Sequence, residues 1–164
     1  MATATYIPIA TQTLGSAASS ITFSSIPSTY TDLRLVLTGT TNNSSNLAFQ
    51  FNGDSGSNYS YTFLSGTGST VISSSSTNAA RALFESQGAS STTIPTMYTL
   101  DVFSYANAAN KSCLVTASVD QNGSGAVETA VALWRSTASI TSISIFCNGG
   151  GNLLTNSTAT LWGI

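Results

Sequence analysis

The segment Gly53-Asp54-Ser55-Gly56 sets a carboxylate beside a serine between two glycines, a setting that can present a hydroxyl as an acyl-transfer nucleophile. A serine hydroxyl attacks only when a neighbouring base takes its proton. The 164-residue chain has no histidine, and no lysine lies near the segment. Ser-His-Asp and Cys-His catalysis, histidine-ligated zinc and imidazole acid–base work are therefore closed to it. The segment reads as a loop between strands built on Phe51 and Tyr59.

Paired carboxylates can hydrolyse glycosides. The candidates are Asp32, Asp54, Glu85, Asp101, Asp120 and Glu128, and no spacing brings two of them to hydrolytic separation. Asp32 is expected to begin a strand and Asp120 a turn. Asn52, Asp54, Ser55 and Asn58 offer oxygens to calcium, but with one carboxylate among them a hydrogen-bonded Asx turn is the expected arrangement. Gly149-Gly150-Gly151 opens no helix, so it does not read as a phosphate cradle. Tyr59, Tyr61, Trp134 and Trp162 have the chemistry of a sugar-stacking or docking surface, yet at strand spacing they read as core or sheet–sheet contacts. Acceptors such as Asn58-Tyr59-Ser60 and Asn156-Ser157-Thr158 arise by chance in so serine-rich a chain. No catalytic, cofactor-binding or metal-ligating residue is assigned, no cofactor is expected, and the chain is read as no enzyme.

The composition bounds the rest. Charged residues make up 6% of the chain, against roughly 25% in a typical soluble domain. Serine and threonine supply roughly a third and do the solvating instead. With a hydrophobic fraction of 41% and a net charge of −2, the chain lacks the low hydrophobicity and high charge of disorder. Four basic residues give no footprint for nucleic acid or an anionic membrane. No apolar stretch approaches the roughly 20 residues of a membrane-spanning helix, and the first residues do not read as a secretory signal. Cys113 and Cys147 are expected as buried free thiols in preference to a bridge.

These residues must be positioned by strands. Leu33, Leu35 and Leu37 alternate with Arg34, Val36 and Thr38, and similar sets follow at Leu47–Phe51, Tyr59–Phe63, Tyr98–Val102, Val115–Val119, Val127–Leu133, Ile143–Ile145 and Thr158–Trp162. Asn52-Gly53, Asn122-Gly123 and Asn148-Gly149 are pairs that tolerate positive φ, while Gly66-Thr67-Gly68 and Ser73 to Ser76 suggest longer loops. Asn78 to Ser86 is compatible with a helix or with a strand through Ala82 and Phe84. Pro8 belongs on an edge strand, since it cannot donate to a central ladder. The expectation is one all-β domain over residues 1–164. It would be an antiparallel two-sheet β-sandwich of about eight to ten strands, with a jelly-roll-like topology.

Both ends of the chain carry a further signal. The opening runs from Thr5-Tyr6-Ile7-Pro8-Ile9-Ala10 through Ile21-Thr22-Phe23-Ser24-Ser25-Ile26-Pro27 into Asp32-Leu33. The close runs from Ile140-Thr141-Ser142-Ile143 to Thr158-Ala159-Thr160-Leu161-Trp162-Gly163-Ile164. Together they resemble a family of small virion structural proteins of tailed bacteriophages, frequent in cyanophages and other aquatic phages. Members resemble head-decoration proteins and fibre or tail components alike. The resemblance implies a place in the particle and brings no catalytic residue with it.

The leading expectation is a capsid decoration or cement protein bound in many copies to the outer shell, with the major capsid protein or tail proteins as partners. The matching motifs begin at residue 5 and run to the last residue, which suggests no separate attachment domain. The alternative is a trimeric tail-fibre or receptor-binding module, whose loops at Gly53 to Asn58 or Gly66 to Thr77 would touch host glycans. The expected location is the virion, assembled in the host cytoplasm, and the expected self-association is a trimer or dimer. With so few charges, the isolated protein should associate with little dependence on salt. Sedimentation at high protein concentration checks this, and a monomer there contradicts it.

Overall fold

Alternation of apolar with hydroxyl-bearing residues folds each stretch into a strand with one buried and one open face. A computed structural model describes residues 5–43, 45–85 and 90–164. Among these there is no helix. The strands are β1 (Ile7–Thr13), β2 (Ser20–Phe23), β3 (Leu33–Gly39), β4 (Leu47–Phe51), β5 (Tyr59–Gly66), β6 (Val71–Ala79), β7 (Ala82–Leu83), β8 (Thr96–Val102), β9 (Lys111–Asp120), β10 (Gly125–Trp134), β11 (Ile143–Cys147) and β12 (Thr158–Gly163). They form an eight-stranded sheet in the order β1-β12-β3-β8-β9-β10-β5-β6 and a four-stranded sheet in the order β2-β11-β4-β7. Every pairing is antiparallel.

The core lies between the sheets. Leu33, Leu35, Leu37, Tyr98, Leu100, Val102, Val115 and Leu161 of the larger sheet meet Ile21, Phe23, Leu47, Phe49, Phe51, Ile143 and Ile145 of the smaller one. An aromatic seam runs through it. Tyr98 meets Phe84 at 5.6 Å between ring centroids, Phe84 meets Phe49 at 5.1 Å, Phe49 meets Phe51 at 5.3 Å, and Phe51 meets Trp134 at 5.5 Å. Offset and edge-to-face rings at such distances add to the burial itself. On the face of β10 that carries Trp134, Ala126, Ala130 and Ala132 are also buried in the core. Cys113 and Cys147 are buried and unbridged, as expected.

The turns follow backbone chemistry. Asn52 and Gly53 both have positive φ, as do Asn122 and Gly123, matching the sequence reading. Asn148-Gly149 differs: the left-handed residues there are Gly150 and Gly151, two places further on. Pro8 lies on the edge strand β1, where a register shift separates it from Ala10. Gly163 is required by packing, because a Cβ there would run into the Tyr30 ring.

Three local expectations change. Ser73 to Ser76 is not a loop but the middle of β6, with Ser73, Ser74, Ser75 and Ser76 facing Leu64, Phe63, Thr62 and Tyr61 of β5. Serine favours turns when alone, but here the tight turn at Thr67–Thr70 returns the chain along β5, whose ladder sets the conformation. Asn78 to Ser86 holds the end of β6, a turn and the short β7, so the strand alternative holds in part; Ser86 lies outside the described residues. Twelve strands stand among the described residues in place of eight to ten, the additional ones being short or serine-rich.

Phe49→Ala, at the centre of the seam, is expected to cost about 3–5 kcal/mol. Val131→Ser, on the open face, should stay within about 0.5 kcal/mol of the parent. Chemical denaturation measures both, and equal losses would mean that the core is not where these contacts place it.

Candidate functional site

The acyl-transfer-like segment closes on itself. Asp54 Oδ2 accepts hydrogen bonds from Trp134 Nε1 at 2.6 Å and Asn58 Nδ2 at 2.9 Å, and its Oδ1 accepts one from the Gly56 amide at 2.9 Å. The Trp134 bond is the main reason its pKa falls below the usual value. A carboxylate whose oxygens already face three N–H donors is a strut for the loop. Asn52 fastens a different part of the chain. Its Oδ1 accepts from the amides of Thr141 and Ser142, and its Nδ2 donates to Ser139 O at 2.8 Å. The structure therefore does not gather Asn52, Asp54, Ser55 and Asn58 around a common point.

The other carboxylates are dispersed. Asp32 immediately precedes β3 and accepts from the Ser104 amide at 2.7 Å. Asp120 closes β9 and accepts from Gly123 at 2.9 Å. Asp101 pairs with Arg34 at 3.6 Å on the open face of the larger sheet. Among the described residues, no three of histidine, cysteine, aspartate and glutamate group closely enough to hold a metal.

Glu85 and Glu128 carry no mark in the sequence that separates them from surface acids, yet both are buried. Glu85 Oε1 accepts from the Leu47 amide and the Tyr98 hydroxyl, each at 3.1 Å, and from the Ser90 hydroxyl. Its Oε2 is buried without a hydrogen-bond partner. Burial, with a smaller contribution from Glu128, raises its pKa. The adjoining gap, bounded by Tyr61, Phe63, Leu83, Phe84, Glu85 and Ala130, is too small to admit water, so this acid is sealed in the core. Lys111 is likewise enclosed. Its Nζ donates to the carbonyls of Asn107, at 2.7 Å, and of Ala109, and desolvation lowers its pKa.

The aromatic candidates divide. Tyr59 and Trp134 are buried and stack at 6.4 Å with an interplanar angle of 19°. The Tyr59 hydroxyl accepts from the Phe51 amide at 2.9 Å, and burial raises its pKa. Tyr61 is half-buried. Trp162 is half-buried on the open face, edge-on to Tyr6 at 6.5 Å.

What the fold presents outward is the open face of the eight-stranded sheet. Directly opposed residues share a face, and the register sets Leu64, Val71, Val127, Val131, Leu114 and Met97 together on it. All six are exposed, Val71 at 77%, Val127 at 68% and Val131 at 57%. Their neighbours on that face are chiefly threonine and serine, and its charges are the Arg34–Asp101 pair and Asp120 at the tip of β9. A shallow depression of about 420 Å³ crosses it among Ser60, Thr62, Ser75, Thr77, Ser112 and Val131. Such a surface can dock against another flat, uncharged surface.

Comparison of the chain with protein-family models, with curated proteins and with solved structures finds no match.

Glu85 also yields a pH prediction. Its folded pKa lies above the ordinary value of 4.5. Its contribution to stability is complete below that value and is lost as pH rises through the higher folded pKa. Glu85→Gln cannot ionise, so its stability relative to the parent should improve as pH rises above the ordinary value of 4.5 and level off once the buried carboxyl has ionised. Melting temperatures measured as pH rises test this, and a difference independent of pH would show that Glu85 does not titrate in the core.

Proposed function

We propose that the chain is a non-enzymatic structural protein of a tailed-bacteriophage particle, a capsid decoration or cement protein bound to the outer shell in many copies. The observation that carries this reading is the open face of the eight-stranded sheet: broad, nearly uncharged, and studded with Leu64, Val71, Val127, Val131, Leu114 and Met97. A shell protein could cover such a face without desolvating many charges. Its partners would be its own copies and the major capsid protein, or tail proteins if it sits there, and not nucleic acid or a membrane. Its place would be the virion, assembled in the host cytoplasm. The resemblance of the chain's two ends to phage structural proteins points the same way.

A jelly-roll topology belongs with this reading. The interleaved orders β1-β12-β3-β8 and β2-β11-β4-β7 support it, with β9, β10, β5 and β6 extending one sheet. The connections divide accordingly. Thr41, Asn42, Ser91 and Asn152 are bonded together at one end, and Ile26, Tyr105, Ile140 and Thr141 at the other. Viral capsid and lectin domains use that sandwich, an analogy of fold alone.

The hydroxyl-lined depression at Ser60, Thr62, Ser75, Thr77 and Ser112 favours a second reading, a trimeric fibre or receptor-binding module that contacts host glycans. Two measurements separate them. Counting copies in purified particles should find the protein at a large multiple of any tail component, and a handful of copies would defeat the decoration reading. A glycan array should give no hits if decoration is the role; hits lost on Ser75→Ala and Ser112→Ala would establish the second.

A further inference from the structure

The two sheets expose four edges, and three are guarded. β1 carries Pro8, which offers no donor, and a register shift beside it. β2 is four residues long, and Gln12 Nε2 covers its Thr22 carbonyl at 2.7 Å. β7 is two residues long, and Gln50 Nε2 bonds the neighbouring Ala80 carbonyl at 2.8 Å. β6 is different. It is nine residues long, with no proline and no charge, and its one irregularity lies beyond Ser76, where two residues stand opposite Ser60. The run Val71–Ser76 is a regular ladder against β5, and among the described residues no strand lies on its outer side.

We infer that β6 is an assembly edge at which two copies of this chain pair antiparallel, joining their eight-stranded sheets into one. An unguarded edge offers a row of main-chain donors and acceptors to any strand. Several features select a second copy. None of the charged residues lies on β5 or β6, so a copy meets no like charge there. A two-fold axis normal to the sheet keeps like faces together, and so must pass through a residue rather than between two. With Ser74 on the axis, Ser73 faces Ser75 of the partner copy, twice, on the open face. This fold already uses that bond within its own ladders: Thr11 with Thr160 at 3.0 Å, Thr13 with Thr158 at 2.9 Å, Thr22 with Ser144 at 3.0 Å, and Thr99 with Thr116. All four are directly opposed residues. Because β1 is guarded, the pairing closes at two copies instead of propagating as a fibre. This inference is independent of any place in a particle.

Sedimentation equilibrium of the full chain tests it. The parent should be a reversible dimer, and Ser73→Lys/Ser75→Lys, which sets like charges opposite each other across the axis, should raise Kd at least about 100-fold. Ser28→Lys/Asn110→Lys adds the same charge at exposed sites off the edge and should remain dimeric. A parent that stays monomeric to about 1 mM, an edge variant that dimerises unchanged, or a control that dissociates equally would each overturn the inference. Should the edge variant fail to fold, amide exchange on the parent decides. Protection across Val71–Ser76 must rise with protein concentration, and concentration-independent exchange there overturns it.

Discussion

The contact on which the rest of this protein depends is the aromatic seam from Tyr98 through Phe84, Phe49 and Phe51 to Trp134. It spans the gap between two sheets whose pairings are otherwise internal to each. Phe49 and Phe51 come from the smaller sheet, Tyr98 and Trp134 from the larger, and Phe84 follows the last strand of the smaller sheet. The polar atoms nearby are arranged to suit it. The indole N–H at one end is taken by Asp54, and the Tyr98 hydroxyl at the other by Glu85. Each ring with a polar tip thus keeps its body in the core and its tip satisfied. The segment that looks most like a nucleophile is, through Asp54, a fastening of this seam.

Much of this is legible in the amino-acid order, and the limits have physical causes. The strands β3, β9 and β10 alternate cleanly because one face meets the core and the other solvent, and that period survives in any single sequence. Tyr59 and Trp134 read as packing residues from strand spacing, and both are buried. β6 is not legible, since four consecutive serines carry no period; only the return of the chain beside β5 makes them a strand. Glu85 and Lys111 are hidden for a related reason. Their burial depends on Leu47, Tyr98 and Asn107, contacts that spacing along the chain does not reveal. The open face of the larger sheet lies between these cases: each apolar residue is visible in a strand, but its sidedness needs the register.

Scarcity of charge shapes both surface and interior. On the larger sheet, hydroxyl groups take the place of ion pairs, bonding across strands at short range. Such bonds are nearly indifferent to salt, whereas ion pairs weaken as it is added. Inside, carbonyls hold the Lys111 amine, and donors reach one oxygen of the Glu85 carboxyl while the other is left bare. The result is a module whose surface offers shape and hydrogen bonds in place of a long-range field.

The enclosure of Lys111 has a consequence for the outside. It is the chain's one lysine, both cysteines are buried, and there is no histidine. The folded surface therefore presents no side-chain amine, thiol or imidazole to reagents that attack such groups. Aldehydes, activated esters and alkylating agents would find little to modify short of unfolding the chain. Toward such reagents the folded exterior would be chemically quiet.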